Sequence, residues 1–172
     1  MTDAVTSLEH TVDLLYPELN RELDKIRRML ERFPDAHAAW TPHPKSRTLA
    51  SLATHLASLG IGARLLDADE VDVATRTPPA LRSTAAELMA LFDDGANALK
   101  AALPRATPDA LRQPWTLRVG PRVLFSQPRH VVIREMLINH FIHHRAQLGV
   151  YYRLLDVPVP GTYGPSADEP IV

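Results

Sequence analysis

The sequence predicts an all-α fold: a four-helix bundle with long connections, a short hairpin before the last helix and an extended C-terminal tail. Three observations carry that expectation. Apolar residues recur at alternating spacings of three and four along four separate stretches, the pattern of helices that bury one side. Thr-x-x-Glu pairs stand at the head of two of them, at Thr6–Glu9 and Thr84–Glu87, as capping boxes do. The 15 prolines cluster between the periodic stretches and so mark their boundaries.

Each element follows in order. Leu8, Val12, Leu15, Leu19, Leu23, Ile26, Leu30 and Phe33 predict a first helix over residues 8–33, kinked or restarted at Pro17 and ended by Pro34. Pro34, Pro42 and Pro44 make residues 34–47 irregular. A second helix is expected over 48–67, on Leu49, Leu52, Leu56, Leu59, Ala63 and Leu66. After a polar connection, Leu88, Leu91, Phe92, Leu99 and Ala102 supply the third, up to Pro104. Five prolines interrupt residues 104–128, and within them an alternation around Gly120-Pro121 predicts the hairpin. The last helix, 128–155, carries Ile133, Met136, Leu137, His140, His144, Leu148, Tyr151 and Leu155, with Pro128 acceptable in its first turn. With 172 residues and no internal repeat, one domain over 1–172 is expected.

Composition excludes several functions. The net charge is −1, which leaves no electrostatic footprint for nucleic acid or an anionic membrane. Cysteine is absent, so disulfides, thiolate metal sites and a cysteine nucleophile are excluded. No run of 18 apolar residues exists to span a bilayer, and the N-terminal stretch carries acidic residues rather than an apolar core. A cytoplasmic location is the resulting expectation. The seven glycines form no phosphate-binding loop.

The eight histidines are where chemistry is concentrated. His140 and His144 are four apart, so a helix puts both imidazoles on one face, the spacing of two ligands to one metal. Taken alone the pair reads equally well as two hydrogen-bonded core histidines. His55 tips the balance: three residues after Leu52 and four before Leu59, it borders the buried stripe of the second helix and adds a third core-facing imidazole. Three such ligands leave a coordination position open for water or substrate. His143 is rotated about 100° from His144 and is expected at the edge of the site or on an interface. Gln147 and Tyr151 continue the histidine face and are candidates to line a substrate pocket, and Arg145 is a candidate substrate contact. Trp40 and Trp115 read as apolar anchors, His43 and Lys45 as surface groups near the site mouth, and His10, His37 and His130 as surface. Phe141 stands where a His-Glu-x-x-His protease has glutamate, and neither Glu135 nor Glu87 has a histidine three residues on, as a carboxylate-bridged di-iron bundle requires.

Three segments together resemble the DinB-like superfamily of metalloenzymes: Trp40-Thr-Pro-His-Pro-Lys-Ser46 ahead of Thr48, Leu52-Ala-Thr-His55-Leu-Ala, and His140-Phe-Ile-His-His144-Arg145-Ala-Gln147-Leu. The tail from Pro158 to Asp168 is similar as well. The resemblance spans nearly the whole chain, and its specific part is one histidine on the second helix combined with His-x-x-x-His-Arg on the fourth. It implies a down-up-up-down bundle, often a homodimer, with a divalent metal ion on His55, His140 and His144. Imidazole ligation admits Zn(II), Ni(II), Fe(II) or Mn(II). Characterised members of that superfamily include thiol-S-transferases using low-molecular-weight thiols such as bacillithiol, and a mycothiol-dependent maleylpyruvate isomerase. The resulting expectation is a metal-dependent transferase with an external thiol cosubstrate acting on a small-molecule substrate. The alternatives are a metal-dependent hydrolase, or a non-catalytic metal-binding dimer.

Overall fold

The computed structural model describes residues 16–58 and 62–170. Helix α1 (Leu19–Leu30) starts two residues past Pro17, whose missing N–H suits a helix entrance. Leu19, Leu23, Ile26, Met29 and Leu30 form its buried side. The expected stretch through Leu8, Val12 and Leu15, with the Thr6–Glu9 cap, lies outside the described residues.

Helix α2 (Leu49–Ala57) is capped by Thr48, whose Oγ1 accepts the Ser51 backbone N–H at 3.2 Å. It stops ten residues short of the expected end, and a separate short helix, α3 (Arg64–Asp67), follows. Gly60 and Gly62 lie between them in the sequence, each worth about 1 kcal/mol against a continuous helix relative to alanine. Helix α4 (Ala85–Ala102) begins at the expected capping box: Thr84 Oγ1 accepts from Glu87 N, and Glu87 Oε2 accepts from Thr84 N, both at 3.2 Å. A short helix α5 (Pro108–Arg112), capped by Thr107, breaks the proline-rich stretch after it.

The all-α four-helix-bundle expectation is overturned by a three-stranded mixed sheet, which makes the fold α/β. Strands β2 (Pro114–Val119) and β3 (Arg122–Pro128) form the hairpin that the alternation predicts, antiparallel, with an irregularity at Leu117/Arg118. Gly120 takes φ +54° at the turn, a conformation that costs glycine little. Strand β1 (Glu70–Asp72) then pairs in parallel with β2, in what the sequence presents as a polar loop. Burial of Val71 and side-chain charge together hold it there. Arg118 of β2 binds Glu70 at 2.9 Å and Asp72 at 2.5 Å, and Asp72 Oδ1 accepts the Gly120 and Ala74 N–H groups at 2.9 Å each. Trp115 roots the sheet: it is fully buried and packs on Phe125.

The last helical stretch comprises α6 (Arg129–Ile133), a π-helical segment over Arg134–Asn139, and α7 (His140–Leu154). Helix α1 packs against α2, α4 and α7, and α2 packs against α4 and α7. Beyond α7 the tail has no regular structure and is fastened by ion pairs: Arg28 of α1 and Arg32, in the turn just past it, each bind Glu169 at 2.5 Å, and Arg153 binds Asp168 at 2.6 Å. Among the described residues no helix is long and apolar enough to cross a membrane.

Because β1 is held in part by side chains of opposite charge, Asp72→Ala should destabilise the fold through the lost N–H acceptor and ion pair. A lowered urea midpoint, with faster amide exchange at Thr116 than at Leu88, is the expected result.

Candidate metal centre

The face that α7 buries most deeply is Phe141, Arg145, Leu148 and Tyr152. His140 and His144 lie one residue away from it around the helix, so they are half-buried rather than in the core. The sequence stripe drawn through the histidines is therefore one position off the buried one. Two features account for the offset. The π-helical turn before His140 changes the phase of the helix, and segments of this kind recur at functional sites. In addition, a charged residue occupies the buried face: Arg145 is 3% exposed and forms an ion pair with Glu22 of α1, itself 1% exposed.

From α2, His55 meets the α7 pair. Its Nε2 lies 2.8 Å from His140 Nε2 and 3.1 Å from His144 Nε2, and the rings stand edge to face. His144 Nδ1 lies 2.7 Å from Gln147 Oε1. An amide oxygen only accepts, so this contact places the His144 proton on Nδ1 and leaves Nε2 as a bare lone pair. The three nitrogens fit a divalent ion. Imidazole nitrogens about 2.1 Å from one ion stand about 3.0 Å apart when the bonds are at right angles, and about 3.4 Å apart when they are tetrahedral. The 3.1 Å separation falls at the right-angled end of that range and the 2.8 Å one just below it, and all three residues form a group that could hold a metal ion.

The electrostatics keep these groups in the form that binds metal. Burial pushes His55 down to about 4, helped by the other two imidazoles and by Arg47 and Arg76. His140 is pushed down to about 4 by burial, with His144, His143 and Arg47 adding to it. His144 is lowered by burial too, against the opposing Gln147 contact. All three are therefore neutral imidazoles at neutral pH, the form in which histidine binds a metal. His55 also lines a cleft of about 370 Å³ between α2 and residues 73–81.

The remaining candidates separate clearly. Gln147 orients His144. Tyr151 packs edge-on against Trp40, with centroids 5.5 Å apart, and donates to the Arg47 carbonyl at 3.2 Å, so it braces the entrance to α2. His143 is exposed and lies edge-on to His144. Arg145 borders a different cleft, with Met29 and Tyr163. Its partner Glu22 would be raised by burial, but hydrogen bonds from Lys25, Arg145 and Tyr163 outweigh that and hold it below its usual value. His43 and Lys45 are exposed in the loop before α2, whereas His130 is partly buried with Nδ1 3.1 Å from the Leu111 carbonyl. His10 lies outside the described residues. Sequence reading missed Arg47 and Arg76. Arg47, Ser51 and His55 follow one another at four-residue intervals, which was the available signal for the first.

The profile of the DinB superfamily matches residues 18–148, and the chain belongs to that family. A solved structure of a DinB-like protein from Bacillus cereus ATCC 10987 superposes with a TM-score of 0.66 at 20% identity, covering 87% of this chain and 95% of that one. At that identity the likeness speaks for the fold. No curated protein matches the chain.

Two predictions follow from the geometry. His144→Ala should abolish metal binding, whereas Gln147→Ala should weaken it about 10- to 100-fold by releasing the ring, as read by chelator competition. The second concerns metal-free protein. The folded values of His55 and His140 lie below the ordinary value of about 6.5, so the unfolded chain binds more protons in between and stability declines as pH falls from about 6.5 towards 4. Urea midpoints measured across that range should drop, with a shallower slope in His55→Ala than in the parent.

Proposed function

We infer that the protein is a divalent-metal-dependent enzyme that transfers a low-molecular-weight thiol to or from a small electrophilic substrate. The observation that carries this reading is the convergence of three neutral imidazoles, at 2.8 and 3.1 Å, beside an open cleft. His55, His140 and His144 would hold the ion. Bound there, a divalent ion supplies a Lewis-acid position at which an external thiol loses its proton near neutral pH.

The chain's own residues provide the rest. Gln147 fixes the tautomer of His144, and Tyr151 and Trp40 hold the loop that leads into α2. His143 stands at the solvent edge of the cluster. Arg145, committed to Glu22, joins α7 to α1. The absence of cysteine fits a sulfur nucleophile that arrives from outside. A hydrolase would need a general base, and no carboxylate stands among the described residues that line the cleft. Val150 and Leu154, exposed one turn apart on α7, offer an apolar face for the homodimer that the family resemblance implies.

Elemental mass spectrometry on protein purified without a metal column should give about one divalent ion per chain, lost in His55→Ala and His144→Ala. The cobalt-substituted protein should then gain a thiolate charge-transfer band on addition of a small thiol, and should consume an aryl halide only when thiol is present. Ester hydrolysis without thiol would replace this reading with the hydrolase. Absence of metal even after reloading would leave the histidines a structural cluster.

A further inference from the structure

The cleft beside His55 has a composition that the metal centre does not account for. Its polar lining is Arg47, Ser51, Thr54, His55, Ser58 and Arg76: two guanidinium groups, three hydroxyls and an imidazole, with no carboxylate among the described residues. The rest is apolar, from Val73, Leu81, Pro78 and Pro79, and both Val73 and Leu81 are exposed, at 44% and 59%. A third guanidinium, Arg64, adds to the field felt by Arg76. Positive charge is gathered here in a chain whose net charge is −1.

The arginines act on the cluster from two sides. Arg47, at the entrance to α2, influences all three histidines, while Arg76, on the opposite wall, influences His55. Arg47 is exposed, and its guanidinium reaches Ser51 Oγ at 3.3 Å, which points it along the cleft side of α2. A volume of about 370 Å³ lies within the range of small-molecule sites, and apolar walls with a few placed polar groups are their usual make-up. Planar guanidinium groups favour carboxylate and phosphate over neutral amides.

We propose that this cleft binds the substrate as a small organic anion, its carboxylate or equivalent oxyanion between Arg47 and Arg76 and its hydrocarbon part against Val73, Pro78, Pro79 and Leu81. The inference deepens the metal-enzyme reading by naming a substrate class for that site, but the anion preference itself requires no metal.

The test uses 4-phenylbutyrate and its uncharged amide, titrated calorimetrically into chelator-treated protein and, separately, into the metal-loaded form. The acid should bind at least about tenfold more tightly than the amide in both forms, because the discrimination comes from guanidinium groups. Arg47→Gln and Arg76→Gln should each cut that ratio several-fold, Arg47→Lys should keep most of it, and thermal melts check that every variant is folded. Equal affinity for acid and amide, an undiminished ratio in both glutamine variants, or no binding of the acid at millimolar concentration overturns the proposal. A preference confined to the metal-loaded form also overturns it, since the ion would then be reading the charge, and leaves the metal centre intact. An arginine-dependent preference in protein that never takes up metal supports the proposal while the metal-enzyme reading falls.

Discussion

A neutral imidazole carries one N–H, and three of them cannot satisfy one another head to head. His144 gives its proton to Gln147 through Nδ1, so its Nε2 faces the cluster as a lone pair. His55 Nε2 has at most one proton for two neighbours, at 2.8 and 3.1 Å. Adding protons would relieve the shortage, but burial drives the values of His55 and His140 far below neutrality. The cluster thus has lone pairs in excess of protons, in a partly desolvated place where unmet polar groups are costly. An electron-pair acceptor is what such a site lacks, and a divalent ion is one.

The scaffold concentrates its rigidity behind that cluster and leaves its front open. Behind α7, Tyr152 donates to the Met29 carbonyl at 2.8 Å, and Arg145 and Glu22 neutralise each other in the core between α7 and α1. Removing one partner of such a buried pair costs about 3–5 kcal/mol. The helix that carries His140 and His144 is therefore held in register by contacts on the face next to the cluster. In front, the residues that meet the cleft are loop residues, arginines and small hydroxyls.

Much of this was legible in residue order. The spacing of His140 and His144, with His55 bordering the leucines of α2, pointed to one cluster because helical periodicity is local and survives folding. Thr84 and Glu87 announced a helix start for the same reason. Strand β1 was illegible: the alternation of Glu70-Val71-Asp72 is too short to read, and its partner residue Arg118 lies 46 positions beyond Asp72. The break after Ala57 could have been drawn from Gly60 and Gly62, but the leucine stripe continues across them and masks it. Arg145, expected as a substrate contact, is a core residue instead, and only the matching burial of Glu22, 123 residues earlier, makes it one. The sheet and the buried pair share that property. Both depend on complementary charges far apart in the chain, which no local pattern encodes.

Strand β1 has a consequence for how a site of this build diversifies. The connector that walls the cleft is tied down at both ends, by Asp72 to the hairpin and by Arg82, whose N–H donates to Thr54 Oγ1 at 2.9 Å. Between those anchors, residues 73–81 carry Val73, Arg76, Pro78, Pro79 and Leu81 and no metal ligand. Insertions, deletions and substitutions there can accumulate over evolutionary time without disturbing the helices that present the three histidines. One histidine cluster is in this way compatible with many different cleft walls, each a rewriting of the same nine residues.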